Sequence, residues 1–264
     1  MEKVKWGILG PGNIAHDFAT GLKVIEEAEL VAVASRSQER AANFAKKYDI
    51  QNYYNKYEEL MNDPEVDVVY IATPHNFHKE YSLSCMEAGK HVLCEKPLAV
   101  NADQVREMID SARKNQVFLM EAMWTRFLPV MAKVREWIAD NRIGKIKMVN
   151  ADFGFRMDWN PESRLLKPEL AGGSLLDVGV YTISLARMIY SQKPDVIKSM
   201  VDMGEAGVDE QASILFKYKD GAMASLFSAI RTKTAQEARI MGSKGSIYIP
   251  DCWQAESVTL TIEG

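Results

Sequence analysis

The stretch Val4-Lys5-Trp6-Gly7-Ile8-Leu9-Gly10-Pro11-Gly12-Asn13-Ile14-Ala15 decides the fold. A short apolar run ends in G-x-G-x-x-A, and an amphipathic stretch over residues 14–25 follows. Alone the spacing is a weak signal. Between a strand and a helix it has a mechanism. Gly10 permits the tight turn, Gly12 lets the backbone approach a pyrophosphate, and Ala15 lets the helix pack close to the strand. The helix start at Asn13 and Ile14 turns backbone N–H groups toward negative charge. The bland alternative is an ordinary glycine-rich strand–helix connection.

Outward from this loop, apolar runs alternate with amphipathic ones. Strands are expected at 4–9, 30–35, 66–72, 91–94 and 117–121, and helices at 14–25, 38–48, 56–62, 79–88 and 102–115. Val66-Asp67-Val68-Val69-Tyr70-Ile71-Ala72 is nearly continuous apolar sequence, as suits a strand covered on both faces. Such alternation implies an α/β fold, a Rossmann domain with a parallel sheet over residues 1–122. Near Ala122 the rhythm changes. A helix at 127–140, an alternating stretch at 145–155, a proline-containing loop at 160–173 and a helix at 175–190 are followed by strands only, at 197–203, 211–218, 223–230, 238–241 and 246–249. Lys219-Asp220-Gly221 and Gly242-Ser243-Lys244-Gly245 are hairpin turns by composition. Residues 123–264 are therefore expected to form an α+β domain with a large, mostly antiparallel open sheet and helices on one face.

A second signal agrees with the glycine loop. Domains that bind NAD usually carry an acidic residue about 20 positions past the fingerprint, on the ribose 2′-hydroxyl. Here the sequence is Ala34-Ser35-Arg36-Ser37, without a carboxylate. Arg36 can pair with a 2′-phosphate through its planar fork, and Ser35 and Ser37 can donate hydroxyls. NADP is the expected cofactor, with NAD open as a second. The alternative is a solvated surface arginine.

Ligands of open α/β sheets lie beyond the carboxyl ends of the strands. Thr73-Pro74-His75-Asn76-Phe77-His78 and Glu95-Lys96-Pro97 fall at two such ends. Pro97 restricts the lysine before it, so Lys96 is less easily read as a free surface charge. His75 and His78 can be simple helix-start residues. The chain has only four histidines, so no metal site is expected. In Gly172-Gly173-Ser174-Leu175-Leu176-Asp177-Val178-Gly179-Val180-Tyr181, helical spacing puts Asp177 and Tyr181 on one face. A tyrosine can carry the proton of a substrate hydroxyl if a nearby ammonium, such as that of Lys96, favours its phenolate. From spacing alone, a buried core tyrosine is the simpler reading.

The 264 residues carry 32 basic and 36 acidic side chains, a formal net charge of −4. That argues against nucleic acid, whose binding needs a basic excess. Cys85, Cys94 and Cys252 form no CxxC and no paired framework, which suits a reducing compartment. Met1-Glu2-Lys3 leads straight into the first strand without the features of a signal peptide. No apolar run approaches the ~20 residues of a membrane span. The expected location is cytoplasmic, with no membrane partner.

Taken together, residues 10–15, the Glu95-Lys96-Pro97 triplet and the run 172–181 resemble the glucose–fructose oxidoreductase/inositol dehydrogenase (Gfo/Idh/MocA) family. Val92-Leu93-Cys94-Glu95-Lys96-Pro97 and Met120-Glu121-Ala122-Met123-Trp124-Thr125-Arg126-Phe127 carry the resemblance further, to its dimeric dihydrodiol dehydrogenase branch, which also acts as an NADP-dependent D-xylose dehydrogenase. The resemblance spans essentially the whole chain. It implies an oxidoreductase moving a hydride between NADP(H) and a hydroxyl or carbonyl carbon of a sugar or cyclic diol. Tyr181 would be the acid/base, Lys96 its partner, and Asp177 a group that holds substrate or orients Tyr181. Gly10, Gly12, Asn13, Ile14, Ser35, Arg36, Thr73, Pro74, His75, Asn76, His78, Glu95 and Lys96 would line the cofactor groove. Trp124, Arg126 and Phe153 would face the substrate. The second domain would serve substrate binding and oligomerisation, in a homodimer or higher oligomer. Many members carry a histidine where Tyr181 stands, and relatives run longer, so this domain is expected to be incomplete at its C-terminus. A non-catalytic dinucleotide-binding regulator of the same family is the other reading. Retention of both Lys96 and Tyr181 speaks against it.

Overall fold

Residues 3–263 are described by the computed structural model. The expectations for Met1, Glu2 and Gly264 lie outside them. The chain divides into two compact units, residues 1–122 and 123–264.

In the first unit the apolar runs become parallel strands: β1 (Val4–Leu9), β2 (Ala28–Ala34), β3 (Asn52–Tyr54), β4 (Val68–Ile71), β5 (His91–Cys94) and β6 (Leu119–Glu121). Between them lie α1 (Asn13–Leu22), α2 (Gln38–Tyr48), α3 (Tyr57–Met61), α4 (His78–Glu87) and α5 (Ala102–Lys114). The strand order is β3-β2-β1-β4-β5-β6, and every pair is parallel. Order reverses between β1 and β4, which opens a crevice at their carboxyl ends. Helices cover both faces. One core holds Leu60, Val69, Met86 and Met108; the other holds Ile8, Ala15, Val33 and Phe44. The sequence reading lacks β3. Asn52-Tyr53-Tyr54 is an edge strand with one neighbour, so it needs no apolar run.

The second unit opens with α6 (Pro129–Ala139) and β7 (Ile146–Gly154). Expected from residue 127, the helix starts at Pro129, whose missing N–H suits the first helical position. Next come a π-helical turn at Leu175–Gly179, α7 (Val180–Tyr190), β8 (Val196–Met203), β9 (Asp209–Lys217), β10 (Met223–Ala229), β11 (Ala238–Gly242), β12 (Gly245–Ile249) and β13 (Thr259–Ile262). They form a seven-stranded sheet, β13-β12-β11-β7-β10-β9-β8, antiparallel except for the pair β7–β10. Met131 and Val134 of α6, and Leu185, Ala186 and Ile189 of α7, share one core with Val149, Leu226, Ile240 and Ile247 of the sheet. Along β9, Ala212, Ile214 and Phe216 point inward while Ser213, Leu215 and Lys217 point away, the period-two pattern of a sheet covered on one face.

Candidate active site

Gly10 takes φ +88°, and a Cβ there would come within 3.0 Å of the Ala72 carbonyl oxygen, so the turn requires glycine. Gly12 is different. No heavy atom lies within 4 Å of where its Cβ would point. The opening beside it is one the protein itself does not fill. α1 then begins without a side-chain cap, with Asn13 and Ile14 exposed, so its first N–H groups face outward. This loop fits a dinucleotide phosphate. Arg40, absent from the sequence reading, donates from Nη2 to the Pro11 carbonyl at 3.2 Å and ties α2 to the loop.

At the end of β2, Ser35 is buried and its Oγ accepts the Ser37 N–H at 3.3 Å, while Ser37 caps α2 by accepting from the Arg40 N–H. The Arg36 guanidinium lies 5.9 Å from the centre of the Phe77 ring. Burial pushes the Tyr57 phenol up, and the charges of Arg36 and Arg40 oppose it. Arg36 and Arg40 thus both act on the Tyr57 phenol near this strand end.

Beyond β4 and β5, two loops are tied together. His78 is fully buried, with Nδ1 2.8 Å from the Pro97 carbonyl oxygen and Nε2 2.9 Å from that of Thr73. His75 is buried beside it, the two rings 5.6 Å apart, and Pro74 is extended between Thr73 and His75. Thr73 Oγ1 and Asn76 Oδ1 are buried without a hydrogen-bond partner. Buried polar atoms are normally satisfied, so these two fit a site completed by a ligand. The Lys96–Pro97 peptide is cis. Glu95 is buried; it accepts from the Tyr70 hydroxyl and, through Oε2, from the Lys96 N–H at 3.2 Å. Leu98 donates its N–H to Glu121 at 2.9 Å.

In the second unit, Tyr181 stands among aromatic rings. Trp124 Nε1 donates to its hydroxyl at 3.2 Å, and the Phe153 ring meets it edge-on at 5.3 Å. Trp253 stacks on Phe153 at 5.1 Å and meets Trp124 edge-on at 6.2 Å. The sequence reading lacks Trp253, which is isolated in a turn between β12 and β13. Arg126 is exposed and borders a recess with Thr125, Tyr181, Ser184, Met188 and Cys252. Asp177 is buried and accepts from Arg164 Nη2 at 2.8 Å. Asp209 of β9 accepts from the Ser174 hydroxyl at 2.7 Å and the Leu175 N–H at 2.6 Å, and so holds the start of the π turn. Gly173, at φ +108°, lies where a Cβ would collide with Asp209 Oδ1 at 2.1 Å. The Gly-Gly pair therefore serves close approach. Four residues apart, Asp177 and Tyr181 are joined by a π turn; Asp177 meets Arg164, and Tyr181 meets Trp124. π turns recur at functional sites.

Among the described residues, no group of three or more His, Cys, Asp or Glu side chains can hold a metal ion. No helix among them is long and apolar enough to cross a membrane.

The sequence matches two domains of one family. Residues 4–123 match the GFO/IDH/MocA oxidoreductase family, NAD-binding Rossmann fold, and residues 131–248 match the GFO/IDH/MocA C-terminal domain. The chain belongs to the Gfo/Idh/MocA family. A trans-1,2-dihydrobenzene-1,2-diol dehydrogenase of Mus musculus is 43% identical over 253 residues, covering 95% of this chain and 75% of that enzyme. The Xenopus tropicalis enzyme of the same name is 40% identical over 258 residues, covering 96% and 78%. Among solved structures, an aldose–aldose oxidoreductase from Caulobacter crescentus complexed with glycerol superposes with a TM-score of 0.92 at 26% identity, covering 100% of this chain and 82% of that one. A 3-ketoreductase from Actinomadura kijaniata in complex with NADP and TDP-benzene shares the fold, with a TM-score of 0.88 at 24% identity, covering 99% and 85%. This Gfo/Idh/MocA member is an NAD(P)-dependent dehydrogenase or reductase acting on CH–OH groups.

Proposed function

We propose that the protein exchanges a hydride between NADP(H) and the hydroxyl-bearing carbon of a cyclic diol or a sugar. Identity above 40% to the mouse dihydrodiol dehydrogenase over nearly the whole chain carries this reading. In it, the first unit holds the dinucleotide. Gly10 and Gly12, with the outward N–H groups of Asn13 and Ile14, would take the pyrophosphate, and Ser35 and Arg36 the 2′-phosphate. Thr73, Pro74, His75 and Asn76 would line the groove toward the nicotinamide. His78 and Glu95, whose polar atoms engage the protein, would fix the loops behind it. When bound, the cofactor supplies the hydride exchange.

The chain's own residues move the proton. Tyr181 takes it from the substrate hydroxyl during oxidation and returns it during reduction, and the Trp124 N–H steadies the phenolic oxygen. Lys96 would be its partner, with the ammonium favouring the phenolate. Asp177, oriented by Arg164, accepts from a second substrate hydroxyl. Trp124, edge-on to Trp253, and the stacked pair Phe153 and Trp253 would give an apolar wall that suits an unsaturated ring or the apolar face of a sugar, with Arg126 at its border.

The same reading includes a homodimer. Met148, Met223, Leu215 and Met200 share the uncovered face of the second sheet, and Met200 is 81% exposed. An exposed apolar face of this kind suits association. Three free, buried thiols suit a reducing compartment.

The test is calorimetric titration with NADPH and NADH, then a panel of trans-dihydrodiols and aldoses with NADP⁺, followed at the nicotinamide absorbance. Tight NADPH binding with turnover of a panel member is the expected result. Binding without turnover of any diol or aldose overturns the substrate class, and absence of binding overturns the reading at Gly10.

A further inference from the structure

Tyr70 is 2% exposed, and its ring stacks on Phe18 of α1 with centroids 3.9 Å apart and planes 17° from parallel. Held this way, the phenol donates to Glu95 Oε1. Glu95 is 8% exposed, and its other oxygen accepts the Lys96 N–H at 3.2 Å. Burying a carboxylate is costly, and well-packed apolar groups of similar volume hold neighbouring strands at least as firmly. Stability therefore does not account for the pair. Its geometry does have a direct consequence. Each oxygen of one buried carboxylate has a fixed task, and the second task is the backbone at which Lys96 leaves the sheet.

We propose that Tyr70 is a positioning residue for Lys96, acting through Glu95: the phenol orients the carboxylate, and the carboxylate fixes the backbone of the lysine. The inference rests on the reading of Lys96 as the partner of the acid/base. Titratable groups face the pair from every packed element: Asp17 from α1, Cys94 and Lys96 from β5 and its loop, and Glu121 from β6. Burial pushes the Glu95 carboxyl up, and the Tyr70 hydrogen bond and the Lys96 charge pull it back. Burial, and then the Glu95 charge, push the Tyr70 phenol far up, so it remains a donor. Removing the hydroxyl therefore raises the Glu95 carboxyl further.

The experiment follows the backbone amide of Lys96 by NMR in the full chain labelled with ¹⁵N-lysine, assigned with Lys96→Met, from acid to neutral pH. The amide should titrate with a midpoint above the ordinary carboxylate range. In Tyr70→Phe the midpoint should rise by roughly one to two pH units, the scale of a hydrogen bond to a charged group. In Glu95→Gln the response should vanish. The acid limb of kcat for diol oxidation should move upward in Tyr70→Phe, with NADP⁺ affinity unchanged. An unmoved midpoint in folded Tyr70→Phe overturns the proposal, as does a response that persists in Glu95→Gln. If Tyr70→Phe does not fold, the Glu95→Gln titration decides. Equal turnover by the wild type and Lys96→Met is a distinct failure. It removes Lys96 from the reaction and takes the proposal with it, even with the titration as expected.

Discussion

Arg164 Nη2 stands 2.8 Å from Asp177 Oδ1, in an ion pair whose carboxylate side chain is 9% exposed and whose guanidinium side chain is 46% exposed. The pair joins the loop before the π turn to the turn itself. Arg164→Met leaves a buried carboxylate without this cation. Because the arginine is half in water, the expected loss is about 1–2 kcal/mol, below that of a fully buried pair. Urea unfolding measures it. If Asp177 binds a substrate hydroxyl, KM for the diol also rises. Unchanged stability and KM would mean that the pair neither stabilises the chain nor positions Asp177.

Tyr181→Phe keeps the ring against Phe153 and removes the hydroxyl that receives the Trp124 N–H. Turnover should fall by ~10²–10⁴-fold, the scale of acid/base catalysis, with NADPH affinity kept. Steady-state kinetics and calorimetry on one preparation separate the two. A variant with wild-type kcat would exclude Tyr181 as the acid/base.

Arg36 stands near Phe77 and Tyr57 at the end of β2. Arg36→Ala should weaken NADPH by roughly tenfold or more, the worth of a charge-assisted contact, and leave NADH nearly unchanged. Equal losses for the two cofactors would contradict the 2′-phosphate assignment.

Glu95 gives a pH signature with a defined sign. Burial raises its folded carboxyl above the unfolded value. Between those two values the folded chain holds the extra proton, so stability falls as pH rises through that interval. Glu95→Gln removes the term. The stability of the wild type minus that of the variant, from urea midpoints at a series of pH values, should fall across the interval and then level off. A difference that grows with pH would reverse the assignment.

Leu215 sits on the uncovered face of the second sheet and is 45% exposed. Leu215→Lys should leave the monomer fold intact and shift sedimentation toward the monomer. If the wild type itself sediments as a monomer, the dimer is excluded.

Much of this was legible in the sequence. The limits of β1, α2 and β5 coincide with the apolar periodicity, because buried parallel strands and amphipathic helices write their periods directly into the residue pattern. Gly10 carries a positive φ, which its residue type announces. What the sequence hides is contact between distant segments. Asp209 holds Ser174 and Leu175 from another strand, Arg164 reaches Asp177 from a loop, and Trp253 enters the aromatic cluster from a turn. None of these has a local period. The π turn is equally silent, since Leu175-Leu176-Asp177-Val178-Gly179 reads as ordinary helix.

The parallel pair β7–β10 bears on how the second unit is built. β7 lies at the centre of the sheet, where Met148 pairs with Met223 on one side and Met241 on the other. Both partners come from far later in the chain. During synthesis the earliest strand of this unit must wait, with both edges bare, until residues 223–242 have left the ribosome. Pairing at such sequence distance is slow, and bare edges recruit other chains. The second unit is thus the part of the protein for which yield in the cell depends most on the speed of translation and on chaperones.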